Sequence, residues 1–72
     1  MFNKIKKVRK VWIHGDQLTK AITVIGMVGV SAKLSKADCK NPLIYELSFK
    51  VNDDLYSSLI RKFNKYGVTI MN

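Results

Sequence analysis

The sequence predicts an α+β fold, a four-stranded antiparallel sheet with two helices on one face, in the order strand, helix, strand, strand, helix, strand. Two stretches carry that prediction. In Leu43 to Val51 the odd positions are large and apolar while the even ones are mostly polar, the two-residue period of a half-buried strand. From Asn52 to Gly67 the period changes: Leu55, Tyr56, Leu59, Ile60 and Phe63 fall on one helical face. Composition agrees, since a hydrophobic share of 47% with one proline and four glycines describes a chain that folds around a core.

Taken in order, Lys7 to His14 reads as the first strand, rich in β-branched residues and closed by Gly15. Val11 and Ile13 point inward, leaving Lys10, Trp12 and His14 on the opposite face. Asp16 is expected to cap a helix over 17–28 in which Leu18, Ala21, Ile22, Ile25 and Val28 share the buried face, with Gly29 as its stop. Ile22 to Ile25 also has strand propensity, and Gly26 costs about 1 kcal/mol in a helix, so a shorter helix or a strand is the alternative there. Val30, Ala32 and Leu34 then alternate with Ser31, Lys33 and Ser35 as the second strand, and the polar stretch Lys36 to Pro42 forms a hairpin connection. Tyr45, Leu47 and Phe49 of the third strand face the core. Asn52-Asp53-Asp54 starts the second helix, Gly67 ends it, and Val68-Thr69-Ile70 resumes alternation as the fourth strand.

At 72 residues the chain, 1–72, is one domain with a basic arm or strand at 1–10, and its small core makes a homodimer an expected way of hiding residual apolar surface. Cys39 is the only cysteine, which excludes an internal disulfide or a cysteine-based zinc site and suits a reducing cytoplasm. The N-terminal region has no apolar run of signal-peptide length, and Ala21 to Val30 is too short to span a bilayer, so a soluble cytoplasmic protein without a membrane partner is expected.

The element order resembles the ferredoxin-like split βαβ sandwich, a fold that hosts RNA-recognition modules, ligand-binding regulatory domains, toxins and nucleases. In that arrangement the uncovered sheet face displays Lys10, Trp12 and His14, then Ser31, Lys33 and Ser35, then Ile44, Glu46, Ser48 and Lys50, and finally Thr69 and Met71. The RNA-recognition family carries aromatics two apart on the open face of its third strand. Here Tyr45 and Phe49 lie on the inward face instead, and Trp12 alone is similar to that family's first-strand aromatic. His14-Gly15-Asp16-Gln17-Leu18 is loosely similar to the glycine-containing turn of ACT regulatory domains, without its usual proline-glycine step. The lysine-, isoleucine- and asparagine-rich composition resembles that of accessory proteins of large tailed phages, a likeness that implies binding to and blocking of a host or defence protein.

Charge gives the strongest functional signal. Thirteen lysines and arginines against five acids leave a net charge of +8, and Lys4, Lys6, Lys7, Arg9 and Lys10 all precede the first acid, Asp16. A polyanion is the natural partner. The sequence therefore points to a noncatalytic regulatory protein that binds RNA or DNA, with phosphate contacts from these five residues, Lys33 and Lys50 extending the path, and Trp12 stacking a base. A membrane-surface helix over 1–13 is a weaker alternative. In a different class stands an inhibitor of a host protein, anchored by Trp12 and Arg61. Enzymatic chemistry is thinly supplied: His14, two residues from Asp16, supports only a metal-independent ribonuclease as a further alternative, and Asp53 and Asp54 are explained by helix capping, so neither a metal nor a cofactor is expected.

Overall fold

The computed structural model describes residues 5–72, so Lys4, one of the expected phosphate contacts, lies outside the described residues. Three strands, β1 (Lys7–His14), β2 (Ala32–Lys36) and β3 (Ile44–Val51), and two helices, α1 (Leu18–Val28) and α2 (Asp53–Lys65), follow one another as β1, α1, β2, β3, α2. The sheet is antiparallel throughout, in the order β1-β3-β2. The four-stranded ferredoxin-like sandwich expected from the sequence is thus corrected to a three-stranded antiparallel sheet with two helices, within the same α+β class.

The missing strand has a local cause. After α2 the Val68 N–H is held by the Phe63 carbonyl and the Thr69 N–H by the Gln17 side chain, at 2.8 and 2.7 Å. Those donors are spent on the helix end and on the turn after β1. What remains is one bridge, Ile13 to Ile70, extended by Met71 N–H to the Trp12 carbonyl and by the Asn72 side chain accepting the Trp12 N–H.

Both helices stop where the sequence places glycine. Gly29 and Gly67 have φ of 81° and 76°. In each case the glycine N–H and the one after it return to helix carbonyls, from Gly29 and Val30 to Gly26 and Ile25, and from Gly67 and Val68 to Asn64 and Phe63. That is the pattern of a left-handed stop with an apolar residue clamped behind it. α2 starts within the expected Asn52-Asp53-Asp54 stretch, but its cap is Asn52, which accepts the Leu55 N–H at 2.7 Å, and Asp53 and Asp54, read from the sequence as capping residues, stand inside the first turn. α1 does not start as expected. Asp16 lies inside a short 3-10 turn, Gly15–Gln17, whose cap is the His14 ring accepting the Asp16 N–H.

The core sits between the helices and one sheet face. Val11, Ile13, Leu47, Phe49 and Val51 meet Ala21, Val24 and Ile25 of α1 and Leu59 and Phe63 of α2. In α1 the buried stripe is centred on Ala21, which turns Val24 inward and leaves Ile22 46% exposed, contrary to the expected face. An alanine at the centre lets the helix approach the sheet closely. Along β2 every residue is exposed, because among the described residues this edge strand is paired only with β3 and the helices pack over β1 and β3; Ala32 and Leu34 lie opposite Phe49 and Leu47 on the helix side of the sheet, as expected, but are not buried there. Leu43 precedes β3 and is exposed, while Ile44, expected outside, is buried next to Ala37 at the hairpin end.

Candidate nucleic-acid interface

Strand alternation divides β1 between two environments. Val11 and Ile13 are buried against the helices, so Lys7 and Arg9 share that side, and Val8, Lys10, Trp12 and His14 occupy the open one. Residues directly opposite across an antiparallel pair lie on the same face. The register sets Lys10 against Ser48 and Ser48 against Lys33; one pleat towards Gly15, Trp12 faces Glu46 and Glu46 faces Ser35. One pleat the other way, Val8 faces Lys50.

Three ammonium groups are therefore gathered around Ser48: Lys10 on one neighbouring strand, Lys33 on the other and Lys50 two residues along β3. With strands about 4.8 Å apart, the Lys10 to Lys33 row spans roughly 10 Å at its base, and flexible four-carbon stems can bring the charges closer together or spread them over successive phosphates. Lys33, Ser48, Lys50, Val8 and Ser31 line a depression of about 420 Å³ that is open to solvent. Among the strand residues of this face Glu46 is the only carboxylate, and it accepts the Trp12 indole N–H at 3.2 Å. The lysine cluster thus has no acid within it.

Of the residues the sequence nominates, the fold brings together Lys10, Trp12, Lys33 and Lys50. Lys6 is exposed just before β1. Lys7 and Arg9 are on the helix side, and Arg9 is already engaged: its Nη2 lies 3.1 Å from Asp53 Oδ1 and its guanidinium carbon 4.5 Å from the centre of the Tyr56 ring. The parity that puts Val11 and Ile13 inward also puts Arg9 inward, a signal present in the sequence. The pairing of Trp12 with Glu46 and the centring of three lysines on Ser48 depend on register, which the sequence does not display.

The alternatives are placed as well. His14 Nδ1 accepts the Asp16 N–H at 3.1 Å and lies 3.5 Å from the Asp16 carboxylate, beside a second depression of about 330 Å³ shared with Gln17, Thr69 and Met71. Among the described residues no lysine or arginine lines it, whereas Lys10, Lys33 and Lys50 are placed around Ser48. Trp12 and Arg61 lie on opposite sides of the sheet, Arg61 being exposed on α2. Cys39 is exposed in the hairpin, with its thiol 3.5 Å from the Asn41 carbonyl. Among the described residues no group of three histidine, cysteine or acidic side chains is placed to hold a metal ion, and no helix is long and apolar enough to cross a membrane.

Comparison with protein-family models, with curated proteins and with solved structures finds no match for this chain.

Proposed function

We propose that this protein is a small noncatalytic regulatory module that binds single-stranded RNA or DNA on the open face of its sheet, where Lys10, Lys33 and Lys50 hold phosphates and Trp12 stacks a base. The observation that carries the reading is the convergence of three lysines from three strands on Ser48, one pleat from the only tryptophan of the chain. A cationic track beside an aromatic platform binds single strands because every base has a π-face to stack and every nucleotide a phosphate to neutralise. Lys6, exposed at the entrance to β1, prolongs the track. Arg9 is left out of it, since its guanidinium is committed to Asp53 and Tyr56.

Fluorescence-anisotropy titrations of labelled single strands at several salt concentrations test the proposal. Each of Lys10→Gln, Lys33→Gln and Lys50→Gln should weaken binding and reduce the log-log salt slope by about 0.7 for a single strand. Unchanged affinity and slope in the triple variant would remove this face from consideration. Absence of any salt-dependent binding by the parent protein would overturn the nucleic-acid reading and favour a protein target.

A further inference from the structure

Glu46 is out of place on a surface that holds phosphates. It stands in the central strand of the cationic face, between Trp12 on β1 and Ser35 on β2, where its charge repels the backbone that the lysines attract. A purely electrostatic site would gain from a neutral residue there. The carboxylate is held in place by the indole N–H on one oxygen, at 3.2 Å, so its position is tied to that of the ring on which a base would stack.

We propose that Trp12 and Glu46 form a base-reading site selective for guanine, an inference that rests on the nucleic-acid reading above and specifies its ligand. A carboxylate is an acceptor with two oxygens and about four lone-pair sites, of which the indole occupies one. Among the four bases only guanine offers two adjacent donors on its Watson–Crick edge, N1–H and the N2 amino group. Adenine and cytosine each present one amino donor beside a ring-nitrogen acceptor, and uracil one N–H between two carbonyl oxygens, so in all three an acceptor faces the carboxylate and is repelled. Stacking on Trp12 supplies base-independent affinity; Glu46 then discriminates by pairing, and the lysines around Ser48 take the adjoining phosphates. Charge-assisted pairing of two N–H groups with one carboxylate is the strong class of hydrogen bond, which offsets the repulsion Glu46 imposes on the backbone.

The test uses short oligouridine strands with one central position changed to guanine, adenine, cytosine or inosine, measured by anisotropy against the parent protein and Glu46→Gln. The guanine strand should bind about tenfold more tightly than the adenine, cytosine and all-uridine strands, within the range for one bidentate base contact. Inosine, which keeps N1–H and lacks the amino group, should fall between guanine and uracil. Glu46→Gln retains an oxygen for the Trp12 N–H, so the fold persists by circular dichroism, while its amide nitrogen meets a guanine donor and the preference should vanish as binding to plain oligouridine holds or improves. Equal affinity for all strands, or a guanine preference that survives in Glu46→Gln, would overturn the base-reading site and leave the lysine track standing. No salt-dependent binding to any strand would overturn both.

Discussion

At the scale of single residues, neighbouring cations of β1 do different work because the strand alternates. Arg9 and Lys10 are adjacent in sequence and equally basic, yet Arg9 lies over Tyr56 beside Asp53 while Lys10 stands in the open row with Ser48 and Lys33. The Arg9 to Asp53 pair is partly solvated, with side chains 37% and 61% exposed, so its Coulomb contribution is small and the stacking on Tyr56 matters as much. Arg9→Ala should cost about 1 kcal/mol and lower the melting temperature by roughly 4 to 8 °C. Lys10→Gln should leave it unchanged. Thermal melts of the two variants measure the difference, and equal melting temperatures would mean that the Arg9 contacts contribute nothing net. Trp12→Ala should separate from the lysine variants in another way: loss of stacking lowers affinity by roughly 1 to 3 kcal/mol with little change in salt slope. A slope that changed as much as in Lys10→Gln would show that the ring acts through the charges around it and not by stacking.

At the scale of elements, what was legible in the sequence was what local periodicity and turn chemistry encode. β1, the phase of β3 from Tyr45 to Val51, the Asn52 cap and the two glycine stops follow from side-chain spacing within one element. The elements misread are those decided by partners elsewhere. Alternation at Val68 to Ile70 predicts a strand, but Gln17 and the α2 carbonyls capture the donors that a strand needs. Val30, Ala32 and Leu34 alternate as a buried strand does, but β2 begins only at Ala32 and an edge position beyond the helices leaves it exposed, while Val30, ahead of it, packs against the core. The open face was readable as a set of residues, and its rows were not, since register is a property of strand pairs. The phase of β3 can be tested directly. Phe49 is 3% exposed and stacks on Tyr56 with ring centres 6.5 Å apart. Phe49→Asp buries an unpaired carboxylate at a cost of several kcal/mol, against a total margin of about 5 to 15 kcal/mol that is least in short chains. That variant should be unfolded by circular dichroism, and Lys50→Asp, one residue on and exposed, should fold. Two variants of equal stability would show that the two faces of β3 are exchanged.

At the scale of the whole molecule, the sheet has unequal edges. The outer side of β1 is partly covered by the bridge at Ile70 and by Met71 and Asn72, whereas the outer side of β2 has no strand partner among the described residues. Lys33 and Lys36 on that edge deter indiscriminate pairing. They also restrict how a second copy can join. Antiparallel pairing about Leu34 sets Leu34 against the partner's Leu34 and Lys33 against the partner's Ser35, which brings together two side chains each 47% exposed and keeps the lysines apart. Centring on Lys33 opposes two ammonium groups, and centring on Ser35 sets Leu34 against the partner's Lys36. The homodimer expected from the size of the chain should therefore pair through β2 about Leu34, giving one continuous sheet with both helix layers on one side and two sets of Lys10, Lys33 and Lys50 on the other. Sedimentation equilibrium of the parent protein at micromolar concentrations should show the dimer. Leu34→Lys, which alters an exposed side chain and places two like charges face to face at the symmetry axis, should yield a monomer with an unchanged circular dichroism spectrum. A parent protein that sediments only as a monomer would remove the dimer, and a Leu34→Lys variant that still dimerises would move its interface away from β2.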